Sequence, residues 1–115
     1  MHEYSIMQSA LHQALREARL AGASRVHAIR LRIGVLSGVV PDALRFAFEA
    51  LTPGTFADGA LLTIDEVPAR FWCATCRREF VSVNLYAECP ACRNPSGELR
   101  AGREMELSSM EVDYV

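Results

Sequence analysis

Two Cys-x-x-Cys pairs, Cys73-Ala74-Thr75-Cys76 and Cys89-Pro90-Ala91-Cys92, stand twelve residues apart and hold every cysteine of the chain. Each pair turns tightly enough to aim two sulfurs at one point, and a short hairpin between them would bring the two turns together. That is the geometry of a tetrahedral four-sulfur cage, the ligand set of structural zinc. A lone Cys-x-x-Cys can be a redox dithiol; two at this spacing, with Pro90 inside the second, point to a metal. A closed site has no open position for substrate or activated water. Zinc on Cys73, Cys76, Cys89 and Cys92 is therefore expected to stabilise the segment and not to catalyse. The segment is too short to bury a core of its own, so losing the metal should unfold it locally. Four thiolates leave the cluster negatively charged. Arg77, Arg78 and Arg93 follow the pairs directly, either as partners of that charge or as solvated surface residues. Many such turns carry glycine after the second cysteine, so arginine there implies a less ideal turn.

The rest of the composition narrows the function. At 115 residues, half of them apolar and 23% charged, the chain is about one globular domain long. No stretch approaches the roughly 20 apolar residues of a membrane span, and no basic-then-apolar leader opens the chain. No membrane partner is expected, and the expected location is cytoplasmic, where thiols stay reduced and cysteines serve metals more often than disulfides. The net charge is −2, and all 12 basic residues are arginines without an arginine-rich run. A nucleic-acid zinc ribbon would cluster a basic surplus on one face, so no nucleic-acid partner is expected. Paired catalytic carboxylates, a nucleophile motif and a phosphate loop are all missing from the sequence. The reading is therefore not an enzyme, and any nucleotide hydrolysis belongs to a partner.

Hydrophobic periodicity supplies the frame. Tyr4, Met7, Leu11, Ala14 or Leu15, and Ala18 form a helical stripe opposite Gln8, His12, Arg16 and Arg19, with Gly22 as a stop. From Val26 the period becomes two: His27, Ile29, Leu31, Ile33 and Val35 alternate with Ala28, Arg30, Arg32 and Gly34. Pro41 and Asp42 suit the first turn of a second helix with Leu44, Ala47 or Phe48, and Leu51 inward. Residues 61–67 form a second strand and 104–114 a third, whose parity switches near Ser108-Ser109 and predicts a bulge. The order is helix, strand, helix, strand, cysteine segment, strand. This is an α+β fold: two helices packed on a small three-stranded sheet, with an inserted four-cysteine zinc-ribbon subdomain. Residues 1–69 and 100–115 make the α+β domain and 70–99 the zinc-binding subdomain, with 68–70 and 94–102 as connections that could hinge.

Met1-His2-Glu3 is the second chemical feature. A large second residue normally blocks removal of the initiator methionine, so His2 is expected at position two. There the α-amine, the imidazole and the first backbone amides can enclose a metal in a square plane, which suits Ni²⁺ or Cu²⁺. From spacing alone, a histidine at this position is more often simply exposed. His12 falls on the wet helix face. His27 falls on the apolar parity of its strand, as a hydrogen-bonded structural histidine.

Together these residues resemble the HypA/HybF family of hydrogenase nickel-incorporation proteins. The resemblance runs over nearly the whole chain. It includes Met1-His2-Glu3-Tyr4-Ser5, Ile33-Gly34-Val35-Leu36-Ser37, the PDALRFAF run from Pro41 to Phe48, and Leu62-Thr63-Ile64. It continues through Pro68-Ala69, both cysteine pairs, and Gly102-Arg103-Glu104-Met105-Glu106-Leu107. Met105 stands where leucine is common, a conservative change. The resemblance implies a small metallochaperone with Ni²⁺ as its transported metal and Zn²⁺ as its structural one. It implies His2 as the nickel ligand, with Glu3 supplying a backbone nitrogen or an outer-shell carboxylate, and the four cysteines as zinc ligands. It implies a HypB-type GTPase and the [NiFe] hydrogenase large subunit as partners; a homodimer and service to urease are left open. The competing readings are a protein-binding zinc-ribbon adaptor with His2 idle, and a redox enzyme, which would show titratable thiols and no zinc.

Overall fold

In the computed structural model, which describes residues 2–82 and 87–114, the chain folds as α1 (Glu3–Leu20), β1 (Ala23–Gly34), α2 (Pro41–Leu51), β2 (Leu61–Val67), β3 (Arg70–Cys73), β4 (Arg78–Val81), β5 (Leu99–Ala101) and β6 (Met105–Tyr114). The fold is the expected α+β arrangement. Helix α1 forms because its apolar residues recur at helical spacing: Met7, Leu11, Ala14 and Ala18 are buried. Glu3 lies in its first turn and Arg19 in its last, each favourable against the helix dipole. Pro41 opens α2, where its missing N–H costs nothing.

Strand β1 is the centre of a sheet in the order β2-β1-β6, parallel to β2 and antiparallel to β6. Both helices join this sheet in one core, in which Met7, Leu11, Leu44 and Phe48 lie with Val26, Ile29, Leu31, Ile33 and Ile64. Burying each large side chain here is worth about 1.5–3 kcal/mol. Charge pairs lie outside that core: Arg30 to Asp65 and Arg32 to Glu106, both at 2.9 Å. These pairs are half-exposed, so they set register more than they add stability.

Between β2 and β6 the chain builds a second sheet in the order β4-β3-β5. Among the described residues, its cluster of buried residues is Cys73, Phe80 and Cys89, with Phe71, Cys76 and Cys92 packed against it. The extents of 56 × 26 × 17 Å and the radius of gyration of 17.7 Å describe an elongated molecule; a compact chain of this length would give about 13 Å.

Three local expectations are corrected. The predicted alternation places His27 and Val35 inward, but Val26 is buried instead and Val35 is 55% exposed. The cause is a bulge. Val26 pairs with Val112 and Ala28 with Glu111, so His27 is an extra residue that flips the parity of β1. It faces solvent between Glu111 and Asp113, at 3.8 and 3.5 Å. Val35 lies past the end of β1 at Gly34. Tyr4, placed on the buried stripe, is 54% exposed, because the core begins at the next turn, with Met7. The bulge expected at Ser108 is present: Arg30 pairs with Ser109 and Leu31 with Leu107, leaving Ser108 over.

The two sheets meet at a backbone crossing. Gly34 N–H donates to Glu104 O at 2.8 Å, Val35 N–H to Val67 O at 2.9 Å and Leu36 N–H to Gly102 O at 2.7 Å. A Cβ on Gly34 would lie 2.1 Å from the carbonyl carbon and oxygen of Gly102. A Cβ on Gly102, itself at φ +126°, would lie 2.9 Å from Ala69 Cα. Gly34→Ala should therefore cost about 3 kcal/mol, the upper end of overpacking penalties, because backbone rather than a flexible side chain must move. Denaturant unfolding would measure it; Gly22→Ala, where nothing lies within 4 Å but φ is +81°, should cost only about 1 kcal/mol.

Candidate metal centre

The first cysteine turn sits at the tip of a hairpin, since β3 pairs with β4 from Arg70–Val81 to Cys73–Arg78. The described hairpin therefore encloses Cys73 to Cys76; a hairpin between the two pairs would have to turn within residues that are not all described. Of the twelve connecting residues, 83–86 lie outside the described residues. The second turn is closed by its own bonds: Cys89 N–H to Asn94 O at 3.0 Å, and Ser96 N–H to Ala87 O at 2.9 Å. Asn94 Nδ2 donates to Thr75 Oγ1 at 3.1 Å and ties the two turns together.

The turns are built alike. Arg77 N–H donates to Cys73 O and Arg93 N–H to Cys89 O, each at 2.8 Å. This closure puts Arg77 and Arg93 in the left-handed region, at φ 54° and 67°. Glycine would take that conformation freely; arginine pays about 1 kcal/mol for it. Arg93 also lies 3.7 Å from Glu88, an exposed pair that adds little stability.

The four sulfurs fit a metal. All lie within 4.8 Å of one another, and Cys73 and Cys92 are 3.5 Å apart. A tetrahedral thiolate cage with bonds near 2.3 Å has edges of about 3.8 Å, whereas a disulfide needs about 2.05 Å. All four cysteines are free, two buried and two half-buried. Cys76 N–H points at Cys73 Sγ from 3.4 Å, a contact that supports a thiolate. Left as thiols, the four would not ionise alike. Backbone N–H groups of Cys92 and then Ala91 lower Cys89 to about 7. The hydrogen bond to Cys92, then burial and the other sulfurs, push Cys76 up to about 12. A dication filling the cage would displace those protons, so metal affinity there falls as pH falls.

The amino-terminal residues lie on the helical layer. Met1, whose α-amine was a candidate donor, lies outside the described residues. His2 is the exposed N-cap of α1, and no side chain caps that end of the helix. It lines an open groove of about 640 Å³ with Glu3, Tyr4, Ser5, Ala43, Phe46 and Ala47. Glu3 Oε2 accepts Val40 N–H at 3.1 Å and so joins the start of α1 to the start of α2. That bond, then the N–H of Glu3 itself, holds its carboxyl below the usual range. A depressed carboxyl keeps its contact above the ordinary carboxylate range and loses it only as pH falls through the lowered value. Val40 and Phe46 are the residues the sequence reading missed. The helix-start signal at Pro41 places α2, but nothing local shows that its start lies beside that of α1.

His2 and the cysteines do not converge on one site, though the same turn reaches both ends. Glu3 holds Val40, four residues after Leu36, which is bonded to Gly102 beside the second sheet. His12 is exposed on α1, as expected. Among the described residues, the four cysteines are the one group of three or more His, Cys, Asp and Glu side chains placed to share a metal, and no helix is long and apolar enough to cross a membrane.

A family model described as hydrogenase/urease nickel incorporation, metallochaperone, HypA, matches residues 1–112. The hydrogenase maturation factor HypA of Picosynechococcus sp. is 44% identical over 112 residues, covering 97% of this chain and 99% of its own. That of Methylocella silvestris is 42% identical over 113 residues, covering 98% and 100%. The solution structure of the nickel metallochaperone HypA from Helicobacter pylori superposes with a TM-score of 0.69 at 26% identity, covering all of both chains.

Proposed function

Because the chain belongs to the HypA family of hydrogenase/urease nickel-incorporation metallochaperones, we propose that it binds Ni²⁺ at its amino terminus and delivers it to the large subunit of a [NiFe] hydrogenase, around a separate structural zinc. The observation that carries this reading is the contrast between its two ends. One is a closed cage of four sulfurs, all mutually within 4.8 Å; the other is an exposed histidine at position two on an open groove. A thiolate cage holds zinc tightly and couples it to folding, which suits a permanent part. Nitrogen donors at an accessible chain end exchange metal readily, which suits delivery.

Cys73, Cys76, Cys89 and Cys92 would be the zinc ligands. His2 would bind nickel through its imidazole with nearby backbone nitrogens, the amide of Glu3 among them. The Glu3 carboxylate, occupied by Val40 N–H, would act as an outer-shell support. Residues 1–69 and 100–115 would form the nickel-carrying domain and 70–99 the zinc-binding subdomain, with Arg100 and Ala101 of β5 reaching across that boundary to complete the zinc-side sheet. The chain works in the cytoplasm with a HypB-type GTPase and the hydrogenase large subunit, and itself catalyses no reaction. Raw affinity ranks copper above nickel at such donors, so selectivity comes from geometry, partners or supply.

The amino-terminal chemistry is testable without touching a side chain. Adding a Gly-Ser dipeptide before Met1 moves the terminal amine away from His2 and should weaken nickel binding at least a hundredfold in a spectroscopic titration, with zinc content unchanged. Equal nickel affinity in the extended chain would refute an amino-terminal site.

A further inference from the structure

Helix α2 carries two phenylalanines with opposite fates: Phe48 is 4% exposed in the core, whereas Phe46 is 75% exposed. Among the described residues Phe46 stacks on no ring and meets no cation, unlike Phe71 with Phe80 or Phe56 with Arg19. Its ring stands in the groove that also holds His2, Tyr4, Ala43 and Ala47. Tyr4 is half-exposed there. An apolar group of this kind, gathered at one site, marks a contact surface more than scattered exposure would.

The charges around it are one-sided. Asp42 and Glu49 lie four residues before and three after Phe46, on the same helix face, and both are exposed. Glu3 borders the groove on the α1 side. Against these three carboxylates stands Arg45, which pairs with Asp42 at 3.8 Å. The surface complementary to it is an apolar pocket with a basic rim.

We propose that Phe46, with Tyr4 in the same groove, is the docking anchor for the protein that accepts nickel from His2, and that this acceptor presents an apolar pocket edged with arginine or lysine. The inference rests on the amino-terminal nickel reading. An acceptor must bring its own donor atoms within bonding distance of a metal on His2, so its surface must cover the groove that Phe46 lines. Phe46 has no metal-binding atom. It seats the acceptor, and Glu49 and Asp42 orient it.

The test uses nickel-loaded, untagged protein and follows transfer to two recipients, the nickel-free [NiFe] hydrogenase large subunit and EDTA. Phe46→Ala should slow transfer to the large subunit about tenfold or more, as truncating an aromatic anchor does. Transfer to EDTA and nickel affinity should stay at wild-type values. Glu49→Arg should slow the protein transfer and flatten its dependence on salt. Equal transfer from wild type and Phe46→Ala would overturn the proposal, as would a slowing towards both recipients. Sedimentation showing that Phe46→Ala turns a dimer into a monomer without changing transfer would assign the patch to a second copy instead. A wild-type chain that retains no nickel would refute the amino-terminal reading itself, and the docking role with it; failure of docking alone appears in a chain that binds nickel and transfers it regardless of Phe46.

Discussion

Removing the metal from Cys73, Cys76, Cys89 and Cys92, or replacing Cys89 with serine, should unfold the second sheet and leave the helical layer standing. The two regions have unequal means of support. Among the described residues, the core built around the helices and the first sheet holds fourteen buried residues, whereas the β3–β4–β5 region has three, two of them cysteines. Cys89 is fully buried, and on the proposed reading nothing apolar would replace its bond to a metal. Structural zinc contributes about 10–16 kcal/mol of apparent binding free energy to small sites of this kind, far more than Phe80 and Phe71 supply by burial, at about 1.5–3 kcal/mol each. Amide hydrogen exchange is the direct readout. Protection of Phe71, Trp72 and Phe80 should fall to that of open chain, while Leu11, Ile29 and Leu31 should keep theirs. Unchanged protection after metal removal would mean that the thiolates do not hold the fold.

Replacing His2 with alanine should have the opposite effect, removing nickel and sparing the fold. His2 is exposed; its side chain makes no hydrogen bond that caps α1, and its backbone carbonyl, which accepts Ile6 N–H at 3.0 Å, survives the substitution. Stability should therefore change by less than about 0.5 kcal/mol, as for other surface positions. Among the described residues lining the groove, the imidazole is the one side-chain nitrogen, so its loss should weaken nickel binding at least a hundredfold. Nitrogen donors must lose protons to bind, so nickel affinity in the wild type should fall as pH falls. Glu3→Gln should fall between these extremes. The amide oxygen still accepts Val40 N–H, but the charge near the helix start is lost.

How far these features are legible in the sequence depends on whether their cause is local. The cysteine pairs are legible because ligand spacing within a turn is a local property, and the sulfurs do come together. The helical stripes are legible for the same reason; Met7, Leu11, Ala14 and Ala18 repeat every three or four residues and are buried. The bulge at Ser108 shows in its own strand, where the apolar parity changes. The one at His27 does not, because both His27 and Val26 offer an inward-facing reading and the pairing with β6 decides between them. The crossing of Gly34, Gly102 and Ala69 is a contact between distant segments and leaves no pattern in any one of them. The left-handed Arg77 and Arg93 are hidden too, since arginine is not the residue that signals such a turn. His2 is the extreme case: spacing alone reads it as an ordinary exposed histidine, and only the resemblance across the whole chain gives it a role.

The claim that joins these parts is that one chain holds two metals at two independent sites. Counting zinc and nickel on untagged wild-type and His2→Ala protein, after equilibration with both metals and removal of the excess, tests it most directly. The wild type should carry one zinc and one nickel per chain, and His2→Ala one zinc and no nickel. Nickel retained by His2→Ala and released on modification of the cysteines would place it in the sulfur cage and contradict the account.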